Sequence, residues 1–348
     1  MYSIDRIVSI LRKTYMLSRS FIVPIYINPL IIFCQHRIFR DLCLGKYEDN
    51  PIFDKECYIF SCDNWASEDT KYHFGEKDLI LKGLHDFNIR HPKAKVFFLH
   101  PQEEYSKNWP GIPYFIFNRN ALVKPENFSI VETDKKFDFV YNACFYKYKN
   151  HDLMPDDRYN IATITYMKKE DKSSYMVGKE DYDYSHKLLD KYRSKRNIFL
   201  PNYIGGKYNF LENSQINNIQ NQSRMGLILS EVEGMCIVSM EYLLSGLPVV
   251  NVKNIGGRDR FLDSYNSITV NPDKESIDKA IKTILDSKYD RQRIRDKVIF
   301  EINKEFENLE KQMIKYEEFR SIDYNLLKEN FKEVMKYYYE GMQSFIKK

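Results

Sequence analysis

Glu233 and Glu241 stand eight positions apart in the stretch SEVEGMCIVSMEYLLSGLPVV, residues 230–250. A carboxylate offers two acceptor oxygens, so each of these residues can grip the vicinal hydroxyls of a sugar or ribose ring. The residues between them are apolar at helical spacing, which places Glu233 in a loop and Glu241 on the helix that follows. The first-turn N–H groups of such a helix have no partner inside it, and with the helix dipole they favour an anion such as a diphosphate. Gly234 lets backbone approach a ligand closely. Gly246 ends the helix, and Pro248 opens the next strand. Spacing alone is equally well explained by Glu233 as a dipole partner and Glu241 as a solvated helix residue.

Other residues carry weaker signals. His100 ends the apolar run KVFFLH, where it suits either a ligand contact or a cap. Asp63, Asn64 and Trp65 leave the end of another strand and offer hydrogen bonds and a stacking face to an acceptor sugar, although an Asx-type turn explains them more simply. Asp181-Tyr182-Asp183 is a D-x-D triplet of the kind that holds a divalent metal under a diphosphate. It lies in an acidic polar loop with no strand before it, so no metal is expected. His151, near Lys149, suits phosphate ordering and a solvated position equally. No G-x-S-x-G, H-E-x-x-H or G-x-x-x-x-G-K-[ST] occurs.

These residues must be positioned by alternating strands and helices. Strands are expected at 56–62, 95–100, 113–118 and 128–132. A second series follows at 137–143, 161–167, 197–201, 225–230, 247–252 and 267–270. Helices fit 4–17, 76–91, 212–223, 235–245 and 274–287, with charged, aromatic-rich helices from 290 to 346. The polar ETDKK at 132–136 suits a hinge between halves. The pattern predicts an α/β chain of two doubly wound domains with parallel sheets, whose ligands sit at the carboxyl ends of strands.

Composition bounds the function classes. At 348 residues, two domains can each bury a core. The net charge of +4 is too small and scattered for a nucleic-acid stripe, so no nucleic-acid partner is expected. The cysteines form no C-x-x-C pair or zinc spacing and are expected as reduced thiols in a cytoplasmic protein without a secretory signal. The apolar segment FIVPIYINPLIIFC, residues 21–34, contains two prolines and is too short to span a bilayer as a helix. It is expected to be buried, with contact to a membrane face as the less favoured reading.

The stretch from Glu233 resembles the E-x7-E segment of the large retaining nucleotide-sugar glycosyltransferase family with the GT-B fold. Glu233, Gly234, Glu241, Gly246, Pro248, Val249 and Val250 match its pattern, and NIGGRDRFLDSYNSITVNPDKESIDKAI resembles its Gly-Gly loop and the strand and helix that follow. The likeness is clear over residues 220–287 and faint elsewhere. It implies two Rossmann-like doubly wound domains facing across a cleft, with C-terminal helices. Expected boundaries are 1–134 for an acceptor domain, 135–320 for a nucleotide-sugar donor domain, and 321–348 for a helix packing back toward the first.

The resemblance also implies roles. Glu233 would contact the donor sugar, with His100 reaching it from the first domain. Glu241 would bind the ribose. The backbone at Gly234, Met235 and Cys236, and the Gly256-Gly257 loop, would lie by the donor. Lys149 would hold the phosphates without a metal or cofactor. Met235-Cys236 departs from the family's Phe-Gly, and Cys144 stands where its Arg is expected. Arg258 is the first choice to supply that charge, ahead of Lys147 and Arg260. The expected activity is transfer of a sugar, with retention, from a nucleotide sugar to a glycan or lipid-linked acceptor in surface polysaccharide or glycolipid synthesis, in the cytoplasm or at the inner membrane face. The alternatives are a degenerate binding subunit on the same fold and, less favoured by the E-x7-E segment, a sugar-nucleotide epimerase.

Overall fold

The computed structural model describes residues 22–35, 45, 51–62, 77–155, 157–165 and 179–346. In chain order the elements of the first part are β1 (Ile22–Ile27), β2 (Leu30–Gln35), β3 (Cys57–Cys62), α1 (Lys77–Arg90), β4 (Ala94–His100) and β5 (Tyr114–Ile116). Next come β6 (Phe139–Asn142), β7 (Ile161–Ile164), α2 (Lys179–Arg193), β8 (Ile198–Phe199), β9 (Tyr203–Ile204), β10 (Lys207–Tyr208), α3 (Asn213–Asn221) and β11 (Gly226–Ile228). The rest are α4 (Ile237–Leu244), β12 (Val249–Val252), β13 (Ser267–Val270), α5 (Lys274–Asp286), α6 (Arg291–Met313) and α7 (Tyr324–Ile346). Two compact units result: residues 1–123 with 302–344, and residues 124–301 with the last four.

The sheet of the first unit runs β1-β2-β3-β4-β5, with β1 and β2 antiparallel and the remaining pairs parallel. Every residue of β3 is buried, as a parallel strand covered on both faces requires. Ile59 packs on one face with Ile80, Leu84 and Phe87 of α1. Tyr58 and Phe60 point to the other, where Phe319 meets them at ring-centroid distances of 4.9 and 5.9 Å. The described residues of the apolar segment, from 22 onward, form the β1–β2 hairpin, folded at Asn28–Pro29. Its buried residues include Val23, Ile25 and Ile31 to Cys34. Among the described residues no helix is long and apolar enough to cross a membrane.

The sheet of the second unit runs β13-β12-β11-β6-β7-β8, all parallel. The first strand of this unit, β6, lies at the centre. The chain adds β7 and β8 on one side, then returns to lay β11, β12 and β13 on the other. Strand order therefore reverses between β6 and β11. At such a switch point the connections leave toward opposite faces and a crevice opens at the strand carboxyl ends.

Two expectations about secondary structure are corrected. Residues 128–132 form no strand, because side chains take their backbone groups: Asn217 Oδ1 accepts from Ser129 N (3.1 Å) and Asn221 Oδ1 from Val131 N (2.9 Å). Those bonds tie the segment to α3, and the chain divides by compactness at 123/124. The segment that rejoins the first unit begins at Ile302, within α6. Finally, the D-x-D triplet lies in the first turn of α2, not in a loop. The β9–β10 hairpin was not expected; its Gly205-Gly206 turn, with φ of 61° and 80°, is its sequence signal. The helix expected at 4–17 lies outside the described residues.

Candidate functional site

The loop leaving β6 is held rigid from below. Two short 3-10 turns, Lys147–Lys149 and His151–Leu153, meet at Asn150, whose φ of 53° is a left-handed conformation that Asn tolerates better than most residues. Asn150 Nδ2 donates to Leu229 O and to Glu231 Oε1, each at 3.0 Å, which ties this loop to the one leaving β11. His151 is fully buried. Its Nε2 faces Cys144 O at 2.9 Å and must donate to that carbonyl, so Nδ1 accepts from the Tyr192 hydroxyl at 3.1 Å. Burial, assisted by the Lys149 charge, pushes its pKa down to about 3. His151 is therefore a neutral core residue, neither solvated nor a phosphate ligand. The Tyr141 hydroxyl donates to Lys149 O and completes the frame.

This frame delivers Lys149 Nζ to Glu233 Oε1, which also accepts from Ser230 Oγ at 2.6 Å. Glu233 is only 4% exposed. Burial alone would raise its pKa, but Lys149 and Arg258 outweigh it and hold the carboxyl below the usual range. Burial likewise works against the Lys149 charge, and Glu233 outweighs it and raises the ammonium pKa. The pair is ionised, and the Tyr148 ring lies 5.0 Å from Nζ.

The loop after β12 supports Glu233 from behind. Glu233 N donates to Ile255 O (3.1 Å), Ile255 N to Glu231 O (2.8 Å), and Asn254 Nδ2 to Glu233 O (3.1 Å). Gly256 has φ of +131°, and a Cβ there would lie 2.1 Å from Glu233 O. Only glycine permits so close a contact between the two loops.

Helix α4 begins at this junction. Cys236 sits at its N-cap, where its carbonyl accepts from Ser239 N (3.1 Å) and Ser239 Oγ (2.6 Å). The helix closes in a Schellman arrangement, with Gly246 N donating to Leu243 O (3.0 Å) and Leu247 N to Tyr242 O (2.9 Å), while Gly246 takes φ of 70°. Arg295 and Arg291 of α6 donate to the last carbonyls, Leu244 O and Ser245 O. The Tyr242 hydroxyl accepts from Asn142 N (2.8 Å) and donates to Val140 O (3.1 Å), fixing α4 against β6. Glu241 is 3% exposed, and its Oε2 accepts from Asn142 Nδ2 and Gln220 Nε2, both at 3.4 Å. It is a buried, engaged carboxylate rather than a solvated helix residue.

The structure thus brings Lys149, Glu233, Gly234, Met235, Cys236, Glu241 and Gly256 to the switch point. Arg258 is there too, but turned inward. It is fully buried, and its guanidinium donates to Ser230 O, Ser230 Oγ (3.2 Å), Val252 O and Asp259 Oδ1 (3.0 Å). Expected as the missing phosphate ligand, it is instead a brace beneath the loop. Gly257 caps the short 3-10 turn that carries it. Arg260 pairs with Glu301 (3.3 Å), and Lys147 is exposed. His100 belongs to the first unit, where its buried ring lies 5.7 Å from Phe98 and 5.6 Å from Tyr114. Asp63, Asn64 and Trp65 lie outside the described residues. Among the described residues no group of three or more His, Cys, Asp or Glu side chains could hold a metal ion.

Ser230, Asn142, Asn150 and Gln220 were not foreseen. Ser230 stands three residues before Glu233, the reach of a side-chain bond across a turn, which is the one signal that could have found it.

The family description "Glycosyl transferases group 1" matches residues 123–299, just over half of the chain. No curated protein matches the chain in sequence. Among solved structures, sucrose-phosphate synthase from Thermosynechococcus elongatus is similar at 13% identity and a TM-score of 0.51, covering 82% of this chain and 68% of that one. TarM of S. aureus is similar at 14% identity and a TM-score of 0.51, covering 94% of this chain and 57% of its own. At these identities the likeness is one of fold, the α/β GT-B fold of two units with parallel sheets. The matched residues contain the whole switch-point constellation, and the chain belongs to the group 1 glycosyl transferases.

Proposed function

We propose that this chain transfers a sugar from a nucleoside diphosphate sugar to a glycan or lipid-linked acceptor, with retention at the anomeric carbon. One observation carries the reading: an ionised Lys149–Glu233 pair, braced from two sides, stands where β6 and β11 part and α4 begins. Glu241 takes the ribose hydroxyls, the first turn of α4 and Lys149 take the diphosphate, and Glu233 takes the sugar hydroxyls. As the anomeric C–O bond to the phosphate breaks, its electron pair goes to the phosphate, where Lys149 and the helix dipole stabilise the charge. The acceptor oxygen bonds to the same face and gives its proton to the leaving phosphate oxygen. This scheme calls for no resident metal. Surface polysaccharide or glycolipid synthesis at the cytoplasmic membrane face is the setting proposed for such an acceptor.

The test is release of nucleoside diphosphate from UDP-, GDP-, ADP- and dTDP-sugars with glycan and lipid-linked acceptors. Wild type is expected to turn over one donor, and Glu233→Ala, still folded, to lose at least about a hundredfold in rate. Full activity in that variant would refute the assignment. Cys144 at the end of β6 and the inward turn of Arg258 favour a second reading, a nucleotide-sugar-binding subunit without turnover. Donor binding with no transfer to any acceptor would select it.

A further inference from the structure

Two cations act on Glu233, and they are held differently. The Lys149 side chain is 16% exposed and reaches the carboxylate from the loop after β6. Arg258 is fully buried and immobilised on two backbone carbonyls, Ser230 O and Val252 O, and on Asp259. Between Arg258 and Glu233 lies the hydroxyl of Ser230, a residue only 1% exposed. Arg258 has only protons to give, so Ser230 Oγ accepts from Nη1 at 3.2 Å and must direct its own proton to Glu233 Oε1 at 2.6 Å. Oε1 is thus turned inward by Ser230 and Lys149 together. Among the described residues nothing bonds Oε2, the oxygen left to meet a ligand.

We infer that Ser230 and Arg258 are the positioning residues of Glu233: they fix its carboxylate in one orientation and compensate its charge from beneath, so that Lys149 is free to move to a donor phosphate. The inference rests on reading Glu233 as the donor-sugar carboxylate. A buried carboxylate that loses its one cation is strongly destabilised. With Arg258 fixed below, departure of Lys149 toward a phosphate leaves Glu233 still compensated and still aimed. The charged and titratable groups facing Glu233 are Lys149 from the loop after β6, Arg258 from the turn after β12, Cys236 at the cap of α4, and Tyr141 of β6. Lys149 and Arg258 are the two that favour its charged form.

Removing Arg258 threatens folding, so Ser230→Ala is the primary variant and Ser230→Thr, which keeps the hydroxyl, the rescue. Carbon NMR titration of ligand-free protein labelled at the glutamate carboxyl, with Glu233→Gln for assignment, reads the first consequence. The Glu233 midpoint is expected to rise in Ser230→Ala and to return toward wild type in Ser230→Thr. Calorimetric binding of UDP, GDP and ADP and of their glucose esters reads the second. Ser230→Ala is expected to bind the preferred diphosphate within about twofold of wild type and its glucose ester at least about tenfold more weakly. An unmoved midpoint, or equal losses for diphosphate and glucose ester, overturns the inference. If wild type binds none of these nucleotides, the donor reading fails, while the titration still decides whether Ser230 braces Glu233.

Discussion

In the second unit, β6 and β11 flank the reversal of strand order and end in polar loops that bring Lys149 and Glu233 together. In the first unit the described strands follow one another across the sheet in chain order, and β4 ends at His100, whose ring is enclosed beside Phe98 and Tyr114. Both sheets are parallel over most of their width, and both bury their strands. The difference lies in where neighbouring connections go. At a reversal they part and leave room for charged groups and a ligand, whereas between consecutive parallel strands the crossovers follow one path, and the described end of β4 is closed by aromatic neighbours. A strand-end residue is therefore a site candidate only once the strand order is known.

The comparison breaks most sharply at Gly256. Gly256→Ala places a methyl against Glu233 O at a backbone conformation with φ of +131°. A cost of about 2–4 kcal/mol is expected in urea unfolding, with loss of nucleotide binding. A cost under about 0.5 kcal/mol would show that the two loops are not tied at this point. Next in size is Lys149→Ala, expected to lower sugar transfer by at least about a hundredfold with folding retained, as read by single-turnover kinetics.

The acid limb of stability tests His151. Its pKa is about 3 in the folded protein against 6.5 unperturbed, so between those values the unfolded chain takes up the extra proton and stability falls as pH falls. The slope is about 1.4 kcal/mol for each pH unit. His151→Gln should therefore show a flatter dependence of unfolding free energy between pH 6 and pH 4 than wild type; parallel slopes would mean the ring is charged in the fold. The smallest effect belongs to the first unit. His100→Gln is expected to cost about 1 kcal/mol of stability and to leave nucleoside diphosphate affinity within about twofold. A tenfold loss of affinity would give the end of β4 a place in the donor site.

Much of the second unit was legible. The strands expected at 137–143, 225–230, 247–252 and 267–270 stand as β6, β11, β12 and β13, because continuous apolar runs bounded by polar turns mark strands buried on both faces. Glu233 and Glu241 were placed correctly on a loop and a helix because the 3.6 period between them is unbroken. What escaped was tertiary. Nothing in the spacing of residues 128–132 shows that Asn217 and Asn221 will occupy their backbone. The direction of Arg258 was also hidden, since a guanidinium after two glycines can turn outward to an anion or inward to carbonyls, and only the positions of Ser230 and Val252 decide. Lys149 was picked out through the family resemblance, which expects a basic residue after the first strand of this unit, but its partnership with Glu233 depends on the β6–β11 adjacency, which the strand sequence alone leaves open.

The most direct measurement is thermal unfolding of wild type, Lys149→Ala and Glu241→Ala with saturating UDP, GDP, ADP and dTDP. A ligand at a hundred times its dissociation constant adds about 2.7 kcal/mol, a readily visible shift. One nucleotide should stabilise wild type, with a smaller response in both variants. A wild type indifferent to all four, or variants that respond as fully as wild type, would contradict a donor site at the β6–β11 switch point.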